Sequence, residues 1–410
     1  MLILGISIGV TLYPLCVFLI ILGLFNTTKD TAGFFLLMFG GPLGGSFRLM
    51  YPSIPMYGVL LALFGAFLTR RWFRHFWKKK GASYLYLFVV FAVFLISYIF
   101  AEHTAYANRK IFQIVYHGSL MFWGFYVFQK SDKIQNEDLV NLILLSSVTY
   151  VFFLVSYYNF TPGAIFDYNW LRSSLHAQVY GDQAETVLSY QNVGMTALMG
   201  ITLLASKKKL EIIPLAIYSC MAFHLIMMSG ARQAILGFVI VMFLRFAYFN
   251  KGNKKALMVL VGFITVYVLY KIIGSSGSEA LEIMSETGGG GRDLIMLEAV
   301  RLIGQYPLFG VGLGGFAIHA GYLNVSWPHN FLLEILCETG CAGALALLTI
   351  VGVYMVNNKI NIRMLTTTNC YYFLFISAIV IRTMVSGDLT ESIELFSMLF
   401  AVSGVYLKKA

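Results

Sequence analysis

Long apolar runs follow one another through almost the whole chain of 410 residues, and only short polar breaks separate them. A membrane-spanning helix needs about 20 consecutive, mostly apolar residues. Hydrophobic residues make up 59% of the chain and charged residues 12%, whereas soluble domains carry about 25% charged residues. The pattern therefore predicts an all-α, polytopic integral membrane protein in which residues 1–410 form a single membrane domain. It excludes a soluble globular enzyme.

The apolar runs predict about 12–13 transmembrane helices. The second run is short and contains the segment GGPLGG at residues 40–45, so the two alternatives differ in whether this run is a full span. The predicted spans are 3–25, 31–46, 53–69, 83–101, 112–128, 139–157, 191–206, 212–229, 234–249, 256–274, 335–356, 365–384 and 392–407.

Basic residues cluster in the breaks between the runs, most strongly in RRWFRHFWKKKG at residues 70–81. Such clusters are typical of cytoplasmic loops, so they account for the net charge of +10, and we expect no nucleic-acid partner. Alternation of the spans between the clusters predicts a cytoplasmic C-terminus. It also leaves two long loops on the outer face, residues 158–190 and 275–334, the second of which is predicted to carry short helices.

The cysteines and histidines do not suggest a metal site. The five cysteines are scattered; Cys337 and Cys341 stand four residues apart, which predicts that they share a helix face. No pair of histidines has the spacing of a zinc site. We expect no metal, no disulfide and no cofactor.

Arginines on the outer side, where basic residues are disfavoured, are candidate ligands for an anion. Arg232 lies in the turn SGARQ between two apolar runs, where it is either such a ligand or an interfacial residue that extends toward water. Arg292 follows four glycines and is predicted to begin a short helix, whose N-terminus favours phosphate. The alternative is a flexible linker with an exposed arginine. Arg301 in the same helix is a further candidate for binding substrate.

The segment WPHNFLLEILCETGCAG, residues 327–343, contains the second group of candidates. His329 lies at the mouth of an apolar helix and can act as a base near neutral pH, or it is an ordinary interfacial residue. Asn330 can cap the helix or orient a ligand. Glu334 and Glu338 share a helix face and need partners near the membrane, for which Arg232 or Arg292 would be natural.

The remaining outer segments are less specific. The loop 158–190 combines Arg172, His176 and Tyr180 with further aromatic residues, a mixture that suits sugar binding or an interfacial aromatic belt. The segment GVGLGG at residues 310–315 looks like a dinucleotide-binding motif but lacks the required βαβ unit. Its glycines indicate a tight turn and close backbone packing.

Over residues 225–345, about a third of the chain, three segments together resemble the O-antigen ligase and O-antigen polymerase superfamily. They are SGARQ, then GRDLIMLEAVRLIGQYPLFGVGLGGF, then HNFLLEILCETGCAG. The last has the pattern histidine-asparagine, nine residues, glycine, two residues, glycine. Ala344 follows that glycine, where ligases often carry threonine.

The resemblance implies a glycosyltransferase of the bacterial inner membrane with its active site facing the periplasm. Its substrate would be an oligosaccharide linked to undecaprenyl diphosphate, and its partners would be membrane lipids and a chain-length regulator. Carried over to this sequence, Arg232 and Arg292 would bind the donor diphosphate and stabilise its charge. His329 would accept the proton of the attacking hydroxyl. The substrate-binding candidates are Arg301, Asn330, Glu334, Glu338, Arg172, His176 and Tyr180.

Three functions remain open at this point. A polymerase transfers the glycan to another lipid-linked repeat unit, and the sequence of the segment PHNFLLEILCETG favours this function. A ligase transfers the glycan to lipid A-core. A flippase or other transporter of lipid-linked sugars would place charges deep inside the spans, whereas here the charges are expected mainly in the outer loops, with Arg382 and His224 as exceptions.

Overall fold

In the computed structural model of the chain, every regular element that the structure describes is helical, and the described residues contain no strand. The described residues are 8–50, 57–78, 82–131, 134, 197, 198, 200–202, 222, 223, 226, 232–249, 292–323, 325–358, 370–385 and 388–401.

The helix bounds follow the apolar runs closely, because each run is long enough to satisfy its own backbone hydrogen bonds in a helix. Among the described residues, the helices in chain order are α1 (Ile8–Phe25), α2 (Lys29–Met50), α3 (Tyr57–Leu68), α4 (Arg71–Lys78), α5 (Ala82–Ile99), α6 (Ala105–Lys130), α7 (Arg232–Phe249), α8 (Arg292–Gln305), α9 (Gly315–His319), α10 (Phe331–Asn357), α11 (Cys370–Val385) and α12 (Leu389–Ala401), with a 3₁₀ turn at Gly321–Leu323.

The predicted fold class, an all-α membrane protein, is confirmed. Among the described helices, α6 and α10 are each long and apolar enough to cross a membrane, and shorter apolar helices accompany them. The total of about 12–13 spans stays a prediction. The spans predicted at 139–157, 191–206, 212–229 and 256–274 lie wholly or largely outside the described residues.

The glycine-rich second run forms a continuous helix, α2, that passes through GGPLGG and packs against α3. Gly33 of α2 and Gly65 of α3 are so close that a Cβ atom added to Gly65 would lie 2.7 Å from the carbonyl oxygen of Gly33. Small residues allow two helix backbones to approach each other in a membrane. The glycines that made this run doubtful as a span therefore serve its packing.

The first turn of α2 is held by a buried carboxylate. Asp30 is completely buried and forms an ion pair with Arg71, the first residue of α4, whose Nε donates to Asp30 Oδ1 at 2.8 Å. The hydroxyl of Ser131 donates to Asp30 Oδ2 at 3.0 Å. The basic segment 70–81 is thus partly helical, and one of its arginines has a structural partner.

Two compact units divide the chain, and each is described by itself. The first, which contains the α2–α3 pair, consists of Met1–Trp72, Val127–Ser278 and Phe373–Ala378. The second, which contains α8, α9, α10 and α12, consists of Phe73–Tyr126, Glu279–Tyr372 and Ile379–Ala410.

The predicted outer loop 275–334 contributes folded structure to the second unit. There α8 buries one face against α9 and the start of α10, and the other face of α8 is exposed. This packing holds the segment that leads to the candidate histidine. The buried residues of this cluster are Ile295, Ala299, Leu302, Phe316, Ala320 and Cys337.

We expect the substitution Asp30→Asn to lower the free energy of unfolding by about 1–3 kcal/mol, because it weakens the charge-assisted hydrogen bonds of a buried acceptor. The side chain of Arg71 is 63% exposed and stays hydrated, so the larger penalty of a buried unpaired charge does not arise. Thermal unfolding of the purified protein in detergent measures the effect. The control Asp293→Asn changes an exposed carboxylate, and equal destabilisation by both substitutions would contradict the prediction.

Candidate functional site

Helix α10 is broken at Gly340, which adopts φ 66° and ψ −174° inside an otherwise helical segment. We call the part before the break α10a (331–339) and the part after it α10b (341–357). A side chain at this position would meet the backbone directly, since an added Cβ atom would lie 2.3 Å from the carbonyl oxygen of Leu308. A positive φ is also unfavourable for residues other than glycine. The break therefore depends on glycine.

The loop 307–312 supplies the hydrogen bonds that the break removes from α10. On the α10b side, the amides of Cys341 and Ala342 donate to the carbonyl oxygens of Pro307 (2.8 Å) and Leu308 (3.0 Å). Unpaired backbone groups are costly in a membrane, and these bonds avoid that cost.

The carbonyl groups at the end of α10a are satisfied in the same way. Cys337 accepts from the amide of Val311 at 2.8 Å, and Glu338 accepts from the amide of Gly312 at 3.1 Å. The hydroxyl of Ser97, on α5, also donates to the Glu338 carbonyl oxygen at 2.8 Å.

The prediction that the GVGLGG segment makes a tight turn and packs closely is confirmed. Gly310, Gly312 and Gly314 all have positive φ. A Cβ atom on Gly310 would lie 2.5 Å from the carbonyl oxygen of Cys337, and one on Gly312 would lie 2.7 Å from Ala101. The glycines let the loop backbone reach both the break in α10 and the residue Ala101, just after the carboxyl end of α5.

His329 lies directly before the amino end of α10a, in a left-handed backbone conformation with φ 55°. Its half-buried ring packs edge-on against Trp327, with the ring centroids 5.1 Å apart. A non-glycine residue in this conformation is uncommon and is often found at functional sites. His329 thus lies at a helix N-terminus, where the helix dipole favours an anion.

Asn330 is the N-cap of α10a, as the sequence predicted for one of its two roles. Its side-chain oxygen accepts from the amides of Leu332 (3.0 Å) and Leu333 (3.1 Å). Its Nδ2 donates to the carbonyl oxygen of Met384 at 3.1 Å, which ties the amino end of α10a to α11. Asn330 therefore fixes the position of its neighbour His329.

Glu334 and Glu338 lie on one face of α10a, as predicted, and their described basic partner is Lys110 of α6. Lys110 Nζ donates to Glu334 Oε1 at 2.6 Å and to the two carboxylate oxygens of Glu338 at 2.7 and 2.8 Å. All three side chains are 0% exposed. The sequence suggested Arg232 or Arg292 for this role, but a lysine 224 residues before Glu334 fills it.

A second buried network joins α11, α12 and the middle of α6. Arg382 forms ion pairs with Glu391 at 2.6 Å and Glu394 at 3.1 Å. His117 Nδ1 donates to the carbonyl oxygen of Thr390 at 3.0 Å, and its Nε2 lies 3.2 Å from Glu394 Oε1. This network holds the start of α12 against α6.

These networks correct the expectation that the charges lie mainly in the outer loops. Lys110, Glu334, Glu338 and Glu394 are buried within helices, and so is Arg382, which the sequence had already singled out as an exception. The sequence analysis did not predict that Lys110, His117 and Glu394 take part in these networks. The signal that could have found them is a charged or titratable residue inside an apolar run, since such residues face the interior of a helical bundle and pair with one another.

The candidate arginines occupy helix starts. Arg292 is the first residue of α8, as predicted, and Arg232 is the first residue of α7. Arg232 belongs to the first unit, whereas Arg292 and His329 belong to the second.

Arg301 lies on α8 and bonds within its own helix. Its Nε donates to Glu298 Oε2 at 2.8 Å and its Nη1 to Gln305 Oε1 at 2.8 Å. The hydrogen bond from the Arg301 guanidinium lowers the pKa of the Glu298 carboxyl.

Two groups of predictions have other outcomes. Cys337 is buried and Cys341 is exposed, so the expected shared helix face is wrong, because the break at Gly340 lies between the two residues. Within the described residues, no cluster of three or more histidine, cysteine, aspartate or glutamate side chains could hold a metal ion. Arg172, His176 and Tyr180 lie outside the described residues.

We expect Gly340→Ala to be strongly destabilising, by about 3 kcal/mol or more, because it combines a strained φ with a backbone clash. Gly352→Ala in α10b is the matched control, since a Cβ atom there would meet nothing within 4 Å. Thermal unfolding in detergent compares the two variants. A Gly340→Ala variant as stable as the Gly352→Ala variant would show that the loop is not packed against the break.

The comparison with protein families matches the segment that carries these features. Residues 216–348 match the model of the family described as O-antigen ligase, and this range includes α7, α8, α9, α10a and the break in α10. No curated protein and no solved structure matches the chain. The match over residues 216–348 supports the resemblance to the O-antigen ligase and polymerase superfamily that the motifs of this segment carry.

Proposed function

We propose that the protein is an O-antigen polymerase: it transfers a glycan from undecaprenyl diphosphate to a sugar hydroxyl of another lipid-linked repeat unit. The observation that carries the proposal is that the family match includes Arg232, Arg292 and His329. The structure supports it by setting His329 at the start of a capped helix. The family is described as O-antigen ligase, and the match does not distinguish a polymerase from a ligase, so the choice of acceptor is our inference.

The arginines suit the diphosphate of the donor. Arg232 and Arg292 are each the first residue of a helix, of 18 and 14 residues. A helix N-terminus presents free amides and a partial positive charge, and a guanidinium adds a bidentate donor for phosphate. Neutralisation by arginine leaves no requirement for a metal in the proposed reaction.

His329 is the proposed general base. It accepts the proton of the acceptor hydroxyl while that oxygen attacks the anomeric carbon of the donor sugar. The bond from the anomeric carbon to the phosphate oxygen breaks, and undecaprenyl diphosphate leaves with the bonding electrons. Attack from the face opposite the leaving group inverts the anomeric configuration. A product with retained configuration would exclude this single displacement.

The proposed setting is the bacterial inner membrane, with several spans, a cytoplasmic C-terminus and a periplasmic site. There the enzyme would meet its lipid-linked substrate within the bilayer and would work with a chain-length regulator. Arg301 remains a proposed contact to the glycan, since its side chain is about half exposed. The same role is proposed for Arg172, His176 and Tyr180.

The alternatives are a ligase and a flippase. A ligase would use the same donor and the same proposed catalytic residues, with lipid A-core as the acceptor. The buried charges favour a flippase more than the sequence did, but they are paired with one another: Lys110 with two glutamates, and Arg382 with two more. Paired charges of this kind suit a fixed structural role better than a transport pathway.

A strain that lacks the gene separates these functions when its lipopolysaccharide gel is compared with its lipid-linked glycans. Core carrying a single repeat unit is the result we expect for a polymerase. Bare core together with long polymer on undecaprenyl diphosphate would mean a ligase. Bare core with cytoplasm-facing single repeats would mean a flippase, and an unchanged ladder would mean that another polymer is the product.

We expect His329→Ala, Arg232→Ala and Arg292→Ala each to reduce the transfer rate by at least about 10²-fold, the lower end of the effect of a general base or a charge-stabilising donor. The controls are His103→Ala and Arg109→Ala, which remove exposed side chains of the same types. The measurement is polymer formation from purified lipid-linked repeats, with each variant matched for its amount in the membrane. Full activity of any one of the three variants would remove that residue from the proposed site.

A further inference from the structure

The position of His329 depends on a short helix that is not continuous with the membrane span after it. Helix α10a has nine residues, 331–339, and the break at Gly340 disconnects it from the helical hydrogen bonding of α10b. Contacts with other parts of the second unit must therefore set the rotation and depth of α10a. This inference rests on the proposed function, in which His329 is the general base.

The two ends of α10a are held by neutral hydrogen bonds. The loop 307–312 bonds the carbonyl groups of Cys337 and Glu338 at the carboxyl end. At the amino end, the side chain of Asn330 bonds the carbonyl oxygen of Met384. A neutral hydrogen bond contributes only modestly to stability, so these contacts alone hold the helix weakly.

The middle of α10a is held by a charged group. Lys110 reaches Glu334 and Glu338 at 2.6–2.8 Å, and these residues stand one helical turn apart on the face that meets α6. Contact at two successive turns fixes both the rotation of the helix about its axis and its position along that axis. Hydrogen bonds between charged groups are about twice as strong as neutral ones.

The charges of this cluster make the lysine indispensable to the arrangement. One cation faces two carboxylates, and all three side chains are 0% exposed. Lys110 is the described cation that contacts both carboxylates, and among the described residues Glu334 Oε2 has no hydrogen-bond partner. Removal of one partner from a buried ion pair is strongly destabilising, because it leaves a charge without compensation.

We propose that Lys110 is a positioning residue for the transfer reaction. Through its ion pairs with Glu334 and Glu338 it holds α10a in place and so sets the position of His329. The two glutamates then act through their ion pairs with Lys110 and do not contact the glycan. His329 precedes Glu334 by five residues, about 7–8 Å along a helix, so a small rotation of α10a moves the histidine. A displacement of about 1 Å can cost about 10²-fold in rate.

The first test compares Lys110→Met with Lys110→Arg and with the control Arg109→Met. Arg109 is the adjacent cation on α6, but its side chain is exposed. We expect Lys110→Met to lower kcat by about 10²-fold and to leave KM for the lipid-linked donor nearly unchanged, because Lys110 does not touch the substrate. Lys110→Arg should recover part of kcat, and Arg109→Met should behave as the wild type. Wild-type kcat in Lys110→Met, or a raised KM with unchanged kcat, would overturn the proposal.

A second variant covers the case in which Lys110→Met fails to fold. The triple variant Lys110→Met, Glu334→Gln, Glu338→Gln removes all charges of the cluster together, which avoids the penalty of buried unpaired charges. It should reach the membrane at the normal level and still show the loss of kcat. Normal kcat in the triple variant would overturn the proposal, because it would mean that transfer does not need the ion pairs of Lys110.

Hydrogen–deuterium exchange in nanodiscs gives a readout that does not require activity. Amides of residues 331–339 should exchange about tenfold faster in the triple variant than in Arg109→Met, which corresponds to a 1.4 kcal/mol loss of local stability. Exchange in α5 should be the same in both. Unchanged exchange in α10a would overturn the positioning role of Lys110 even if the protein proves to be a polymerase. If the wild-type protein has no polymerase activity but α10a exchanges faster in the triple variant, the proposed function is overturned. The ion pairs of Lys110 would then still be what holds α10a in place.

Discussion

The backbone hydrogen bonds between the loop 307–312 and the break in α10 are the interaction on which the candidate site depends. A helix in a membrane cannot be interrupted cheaply, since the freed amide and carbonyl groups have no water to bond. Here Pro307 and Leu308 accept from the amides after the break, and Val311 and Gly312 donate to the carbonyl groups before it. This pairing makes α10a a separate short helix, and His329 stands at its amino end.

Ion pairs between helices add to these backbone hydrogen bonds. Lys110 holds two carboxylates of α10a, and Arg382 holds two carboxylates of α12, one of which also contacts His117. Such pairs contribute little net stability compared with apolar packing, but they are very sensitive to the loss of one partner. They therefore act best as devices that select one arrangement of helices, and both arrangements lie in the unit that carries the candidate histidine.

The proposed reaction mainly requires the protein to position the reacting groups. A polyprenyl diphosphate is already a good leaving group, so the enzyme has to bind its charge, orient an acceptor hydroxyl and remove one proton. Arginines at helix starts suit the first task, and a histidine at a capped helix start suits the last. The family match over residues 216–348 joins these features in one domain.

Local hydropathy and short spacings predicted the helical membrane fold, most of the described span positions and the order of the family motifs. The sequence also placed Glu334 and Glu338 on one helix face, since i and i+4 residues always share one. It did not identify Lys110 as their partner, and it placed Cys337 and Cys341 on one face wrongly. Both points depend on the folded chain, because a break in a helix and an ion pair across 224 residues arise from long-range packing, which no local pattern encodes.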